Sequence, residues 1–422
     1  MASKFKFSTG GIGRTLRHRN YRVYWIYFFV ATTSRWVQRT GVAWLTWELT
    51  HSPTWLGIVA FAEMFPLVIF SVWGGAIADR IGSLRMVRLT LTMTALGTAV
   101  FAGLVLTDLI DIWTVVILIG AIASIWSFGN AAQMSLINNL VPKSELSAAF
   151  ALGSATFNAS RFIGPGIAGV TIALLGIGVT IAVGAVGLAA WATALYTIHL
   201  QPESKTQAKK QSTIADIIDG VRYTAQHVGI RNAMILLGVT AILVRPYMEL
   251  LPGFSDEVFG RGAEGLALLM SATGFGGLIG GVWLAIRGRN EGLAEIIVVS
   301  LLISGIALLV FTVTDQIWIA AIAAVFLGVS MLSGNIASQT LIQSSVDPAI
   351  RARVIAIFIL MAWGIPALGA ILMGWIASVA GLQPTLGVGA VLTILTWLWA
   401  KRQVASMAAL EDMIDAERDV VP

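Results

Sequence analysis

Gly74-Gly75-Ala76-Ile77-Ala78-Asp79-Arg80-Ile81-Gly82-Ser83-Leu84-Arg85 follows one long apolar stretch and precedes another. A worn copy, Gly280-Gly281-Val282-Trp283-Leu284-Ala285-Ile286-Arg287-Gly288-Arg289, begins 206 positions later, close to half the chain length. Gly74 aligns with Gly280, Gly75 with Gly281 and Gly82 with Gly288, but Ala285 stands opposite Asp79. A second repeat has nearly the same offset. Asn130, Ala132, Leu136, Ile137 and Val141 match Asn335, Ala337, Leu341, Ile342 and Val346, 205 positions on. Two concordant offsets indicate a duplicated chain with two equivalent halves.

The surroundings of the motif say what solvent the chain lives in. Of 422 residues, 57% are hydrophobic and 12% charged. A soluble domain carries about 25% charged residues, so this chain has too much apolar surface for water. Twelve stretches reach the ~20 residues needed to cross a bilayer. They are 21–47, 54–78, 86–106, 113–138, 147–172 and 178–200, then 232–252, 264–286, 293–313, 317–342, 352–378 and 384–401. The fold expected is an all-α membrane protein with two pseudo-symmetric bundles of six helices, 21–200 and 232–401.

Charge placement orients the spans. With an even number of spans, both termini share one face. Of the 27 Lys and Arg, Arg35, Arg39, Arg161 and Arg245 fall inside spans, and Arg261 alone falls in an outer loop. The remainder lie on the face of the termini, which marks that face as cytoplasmic. The N-terminal residues 1–20 are basic, without the apolar core of a cleaved signal. Residues 201–231 join the halves: Gln201 to Ser212 is polar and basic, and Thr213 is placed to cap a helix. Ile214, Ile217, Ile218 and Val221 then recur at helical spacing, as in an amphipathic helix on the inner membrane face. The tail after Arg402 is acidic and reads as a short helix or a disordered end.

The chain has no cysteine and four scattered histidines. Thiol chemistry, disulfides and a histidine metal pair are excluded. The glycines of span eight, Gly274, Gly276, Gly277, Gly280 and Gly281, lack the Lys-Ser or Lys-Thr of a phosphate loop. No cofactor, metal or nucleic acid is expected.

Charges inside spans are expensive, ~3 kcal/mol on insertion scales, and normally face a bundle interior or a wet cavity. Arg35 and Arg39 share one helical face and repel each other. Arg245 and Glu249 are spaced to pair within one helix. Glu63 is the remaining intramembrane acid. Apolar surroundings favour the neutral form of a carboxyl, so Glu63 and Glu249 are the candidates for carrying protons. Four cations against two acids leave an excess that suits an anionic ligand. Structural ion pairs are the alternative. Trp36, Gln38, Trp126, Asn130, Gln133, Phe157, Asn158, Asn335, Gln339 and Trp363 are candidates to line the path, each open to the plainer reading of helix packing.

The opening motif resembles the loop between spans two and three of the major facilitator superfamily: Gly, three residues, Asp, Arg, one residue, Gly, then basic residues. Gly75, Asp79, Arg80 and Gly82 match and Arg85 follows, with Ser83 and Leu84 where basic residues are usual. Arg19-Asn20-Tyr21-Arg22, Trp36-Val37-Gln38, Glu48 to Pro53, and Leu140-Val141-Pro142 through Asn158, Arg161 and Phe162 to Gly166 resemble its drug- and siderophore-exporting branch. Gly164-Pro165-Gly166-Ile167-Ala168-Gly169 resembles the Gly-Pro-rich antiporter motif of superfamily exporters.

The resemblance implies a proton-coupled antiporter of a small amphipathic, anionic molecule such as a siderophore or drug. It would work by alternating access, as a monomer in a bacterial inner membrane. Arg35, Arg39, Arg161 and Arg245 would orient the substrate. Asp79, with its loop partners and with Arg351 and Arg353 at the start of span eleven, would close an inner gate. Gly164 and Pro165 would bend span five. A lysolipid flippase of the same fold is the alternative, and a membrane enzyme or scaffold without a transport cycle is a more distant one.

Overall fold

The computed structural model describes residues 10–200, 214–288, 291–347 and 350–420. Thr213, Arg289 and the polar stretch 201–212 lie outside them. The described chain is helical throughout. In order it forms α1 (Gly10–Thr15), α2 (Arg19–Thr50), α3 (Pro53–Ile81), α4 (Ser83–Leu106), α5 (Ile112–Leu140), α6 (Leu146–Tyr196) and α7 (Ile214–Gln226). Then come α8 (Val228–Val239), α9 (Tyr247–Gly253), α10 (Gly262–Arg287), α11 (Leu293–Val313), α12 (Ile317–Ser345), α13 (Arg351–Ala380) and α14 (Leu382–Val420). Among the described residues, ten helical stretches are long and apolar enough to cross a membrane.

Local chemistry sets the boundaries. Pro53 opens α3, where its missing N–H leaves nothing unsatisfied. In the opening motif, Gly82 alone separates α3 from α4, with φ 90° and ψ 140°. A side chain rarely tolerates that backbone, which accounts for glycine there. Asp111 caps α5 by accepting from the Thr114 amide at 3.0 Å. That bond and the Thr114 hydroxyl hold its carboxyl below the usual range.

α6 bends sharply at Gly176 (φ 83°, ψ 172°), between the spans expected at 147–172 and 178–200. Two other elements depart from the spans expected. The run from Val228 to Val258 is composite, with wide turns at Thr240–Val244 and Phe254–Val258 around Pro246 and Pro252. α14 runs on to Val420, so the tail continues the last span. α7 does form where the spacing predicts a helix, burying Gly220 and Thr224 while Ile218 and Val221 stay exposed.

Side chains sort into four buried clusters. Two draw only on residues 21–198 and one only on 230–410. The fourth joins Trp36, Trp47 and Leu56 to residues 244–390. Apolar residues such as Leu96, Leu174, Ile286 and Val379 are left exposed on the outside, as lipid solvation permits.

That joining cluster lies toward the face opposite the termini, and glycines make it tight. Gly57 has no room for a Cβ beneath the Ala370 carbonyl, and a Cβ on Gly374 would sit 2.5 Å from the Pro53 carbonyl oxygen. Gly169 meets Ala267 and Gly253 meets Trp47. The Trp47 indole N–H donates to Asp256 at 2.8 Å. Together these contacts seal that end of the molecule.

Candidate functional site

Below the seal lies a cavity of about 330 Å³. It runs from mid-span toward the face of the termini, between α2 and α6 on one side and α8, α9, α11, α12 and α13 on the other. Trp36, Arg39, Phe157 and Arg161 form the first wall. Arg245, Glu249, Asn335, Gln339 and Trp363 belong to the second, with Thr240, Ser300, Ser304, Ser330 and Ser338.

The first wall is held by close packing of α2 on α6. Gly164 leaves no space for a side chain against the Trp36 Cβ. Beside it, the Thr33 and Ser160 hydroxyls bond at 2.9 Å. Pro165 has no N–H to give the Arg161 carbonyl four residues earlier. That carbonyl faces Gly274 of α10, where a Cβ would sit 2.6 Å away. The Gly-Pro stretch therefore packs α6 against both α2 and α10.

Arg39 is the centre of the charge arrangement. Its Nη2 donates to Glu249 at 3.0 Å, and its Nε lies 3.5 Å from Glu63. The intrahelical pair expected between Arg245 and Glu249 is not made. A tight turn at Pro246, with the Met248 amide bonding the Arg245 carbonyl and the Glu249 amide that of Pro246, breaks regular α spacing between them, and Glu249 reaches α2 instead. A second void of about 30 Å³ touches Glu63, Arg39 and Glu249 on the sealed side, enough for about one water. Arg39 and Glu249 line both spaces and form the partition between them.

Arg161 and Arg245 have no ion-pair partner among the described residues. The Arg161 guanidinium sits 5.8 Å from the Trp36 ring, and Arg245 sits 5.5 Å from that of Trp363. Arg161 Nη2 points to the Met248 sulfur at 3.0 Å, and its Nε is buried without a partner. A cation over an aromatic ring gains ~0.5–2 kcal/mol. A guanidinium at span centre costs ~2.5–3.5 kcal/mol even on the mildest scale. Stacking alone leaves both arginines short of compensation.

Other candidates fall elsewhere. Arg35 stacks on Trp126 at 3.7 Å, outside the main cavity. Gln38 is buried against Gly184, and Asn158 bonds back to the Ser154 carbonyl in its own helix. Gln133 donates to the Tyr24 hydroxyl at 3.1 Å, and Asn130 does not line the cavity. Asp79, Arg80 and Arg85 are exposed on the face of the termini. Arg351 instead donates to the Val346 carbonyl, and Arg353 pairs with Asp219 of α7 at 3.1 Å. Among the described residues, Asp79 makes no ion pair with either arginine. Ser300 and Ser304, and Ser330 and Ser338, were not among the sequence candidates. Their signal was spacing by four or eight positions, which puts hydroxyls on one helix face. Among the described residues, no cluster of three His, Cys, Asp or Glu could hold a metal ion.

Comparison with known proteins fits this architecture. Residues 14–418 match the family described as transmembrane secretion effector. The staphyloferrin A transporter of Staphylococcus aureus is 27% identical over 372 residues, covering 87% of this chain and 91% of that protein. The multidrug efflux pump Tap of Mycolicibacterium fortuitum is 25% identical over 354 residues, covering 81% and 85%. A POT family transporter in complex with 5-aminolevulinic acid superposes with a TM-score of 0.71 at 14% identity, over 92% of this chain and 96% of that one. A bacterial homologue of the human lysosomal transporter Spinster, inward-facing and unoccupied, gives 0.65 at 16% identity, over 94% and 95%. At such identities the two structures speak for the fold alone. By its family match, the chain belongs to the transmembrane secretion effectors of the major facilitator superfamily, and it is a membrane transporter rather than an enzyme.

Proposed function

We propose that this protein is a proton-coupled exporter of a small, amphipathic, anionic molecule. It works as a monomer in a bacterial inner membrane, with both termini cytoplasmic. The names of the two sequence relatives, a siderophore transporter and a drug efflux pump, support export. Reading α6 as two crossings hinged at Gly176, and counting α2 despite its charges, brings ten spans to twelve. The bundles 21–200 and 232–401 then rock about the cavity, with 201–231 as the tether.

One observation carries the reading: a single arginine, shared by two carboxylates, divides a cationic cavity from a small void on the sealed side. Two events release Arg39 from this lock. A proton on Glu249 or Glu63 removes the charge that holds it. An anionic cargo draws it into the cavity. With neither bound, the seal stays shut. That logic permits exchange of cargo for protons and blocks an empty carrier.

The test compares a deletion strain with its complements for secreted anionic metabolites. Wild type should restore secretion of one such compound, and a protonophore should abolish it. Glu63→Gln and Glu249→Gln, checked for membrane expression, should restore little. Full secretion by both variants would defeat the coupling role. Broad sensitisation of the deletion strain to lipophilic drugs, without a missing metabolite, would shift the cargo class to drugs.

A further inference from the structure

We infer that the cargo carries two oxyanions, one for Arg161 and one for Arg245, and that it bridges the two walls of the cavity. The inference rests on the transport reading and narrows its substrate. Three arginines and one glutamate line the cavity. That glutamate is already bound to Arg39, and so is Glu63. Nothing among the described residues is left to neutralise Arg161 and Arg245.

The two sites are built alike but stand on opposite walls. Each guanidinium lies near an indole, Trp36 for Arg161 and Trp363 for Arg245. An indole leaves the edge of the planar guanidinium free, and that edge offers the paired donors that match a carboxylate or phosphate. The buried Nε of Arg161, without a hydrogen-bond partner, is half of such a fork. Phe157, packed edge-on to Trp36 at 5.9 Å, and Leu237, Met331 and Phe358 supply an apolar middle. A molecule with one oxyanion satisfies one wall and leaves a bare cation on the other. A molecule with two, on an apolar framework, satisfies both and draws them together.

The test measures binding to purified full-length protein in nanodiscs at fixed pH, without a gradient. The probes are biphenyl dicarboxylate, its monomethyl ester and the matching bisphosphonate with its own monoester. Quenching of tryptophan fluorescence reports occupancy. The diacid should bind at least ~10-fold tighter than its monoester, about 1.4 kcal/mol. The bisphosphonate should show the same advantage over its monoester, and the tighter of the two dianions names the oxyanion. Arg161→Gln and Arg245→Gln should each bring the diacid down to the level of the monoester. Arg161→Lys and Arg245→Lys, which keep the charge, should retain part of the advantage and guard against misfolding. Equal binding of diacid and monoester to the wild type, no diacid binding at millimolar concentration, or an advantage that survives both Gln variants overturns the inference. Secretion that still responds to the protonophore would then leave the exporter standing with a different cargo.

Discussion

Arg39 of α2 and Glu249 of α9 meet at 3.0 Å, 210 positions apart in the chain. Their bond joins residues on either side of the 201–231 connection, and it forms the floor of one cavity and the roof of another. The pair is partly shielded, with side-chain exposures of 20% and 14%.

Arg39→Ala strands two carboxylates in the membrane interior. A hydrogen bond to a charged group contributes ~1.5–3 kcal/mol, so the variant should unfold at lower temperature in detergent. Exchanging the charges, Arg39→Glu with Glu249→Arg, should recover part of that loss. Equal melting temperatures for Arg39→Ala and wild type would show that the link adds no stability.

Gly164→Ala places a methyl group against the Trp36 Cβ. Overpacking of this kind costs ~1–3 kcal/mol. The backbone of α6 must retreat from α2, and Trp36 must shift. A lower melting temperature with altered tryptophan emission is the expected outcome, whereas Gly153→Ala, in open space within the helix, should leave the emission unchanged and not lower the melting temperature.

Trp47→Phe removes the donor to Asp256 and loosens the seal. The chain has no cysteine, so an introduced one reports cleanly. Thr54, whose hydroxyl lies 3.5 Å from the Gly374 carbonyl, is a suitable position. Thr54→Cys should react slowly with a water-soluble maleimide, and several-fold faster when Trp47→Phe is added.

Asp111 supplies a pH signature. Its carboxyl titrates below the usual range because Thr114 hydrogen-bonds its charged form. Its stabilising contribution is therefore present above the ordinary carboxylate pKa and fades as pH falls through the lowered folded-state value. Asp111→Ala should melt below wild type at neutral pH, and the two curves should converge in acid. A gap that persists at low pH would contradict the cap.

Much of the fold was legible because lipid imposes long apolar runs and because the chain repeats itself. Gly82 was readable as a turn, since few residues adopt its backbone. The partner of Glu249 was not. Local spacing pointed to Arg245, and only the tight turn at Pro246 together with the approach of α2 redirects it to Arg39. Gln38 misled for a related reason: polar residues in spans suggest a cavity, but this one fills a gap against Gly184. The serines of α11 and α12 escaped notice because a lone hydroxyl in an apolar helix usually bonds back to its own turn, as Ser330 does to Leu327.

The cavity is lined unevenly. α2 and α6 contribute two arginines and two aromatic rings, whereas the side-chain hydroxyls and amides come from the turn at 240–244, α11 and α12. Charge is shared by both walls, Arg245 and Glu249 standing on the second, whereas the neutral polar groups are confined to one. On the transport reading proposed above, serines and amides on α11 and α12 can be exchanged without touching the Arg39–Glu249 pair. A library confined to Ser300, Ser304, Asn335, Ser338 and Gln339 is where altered cargo should be sought.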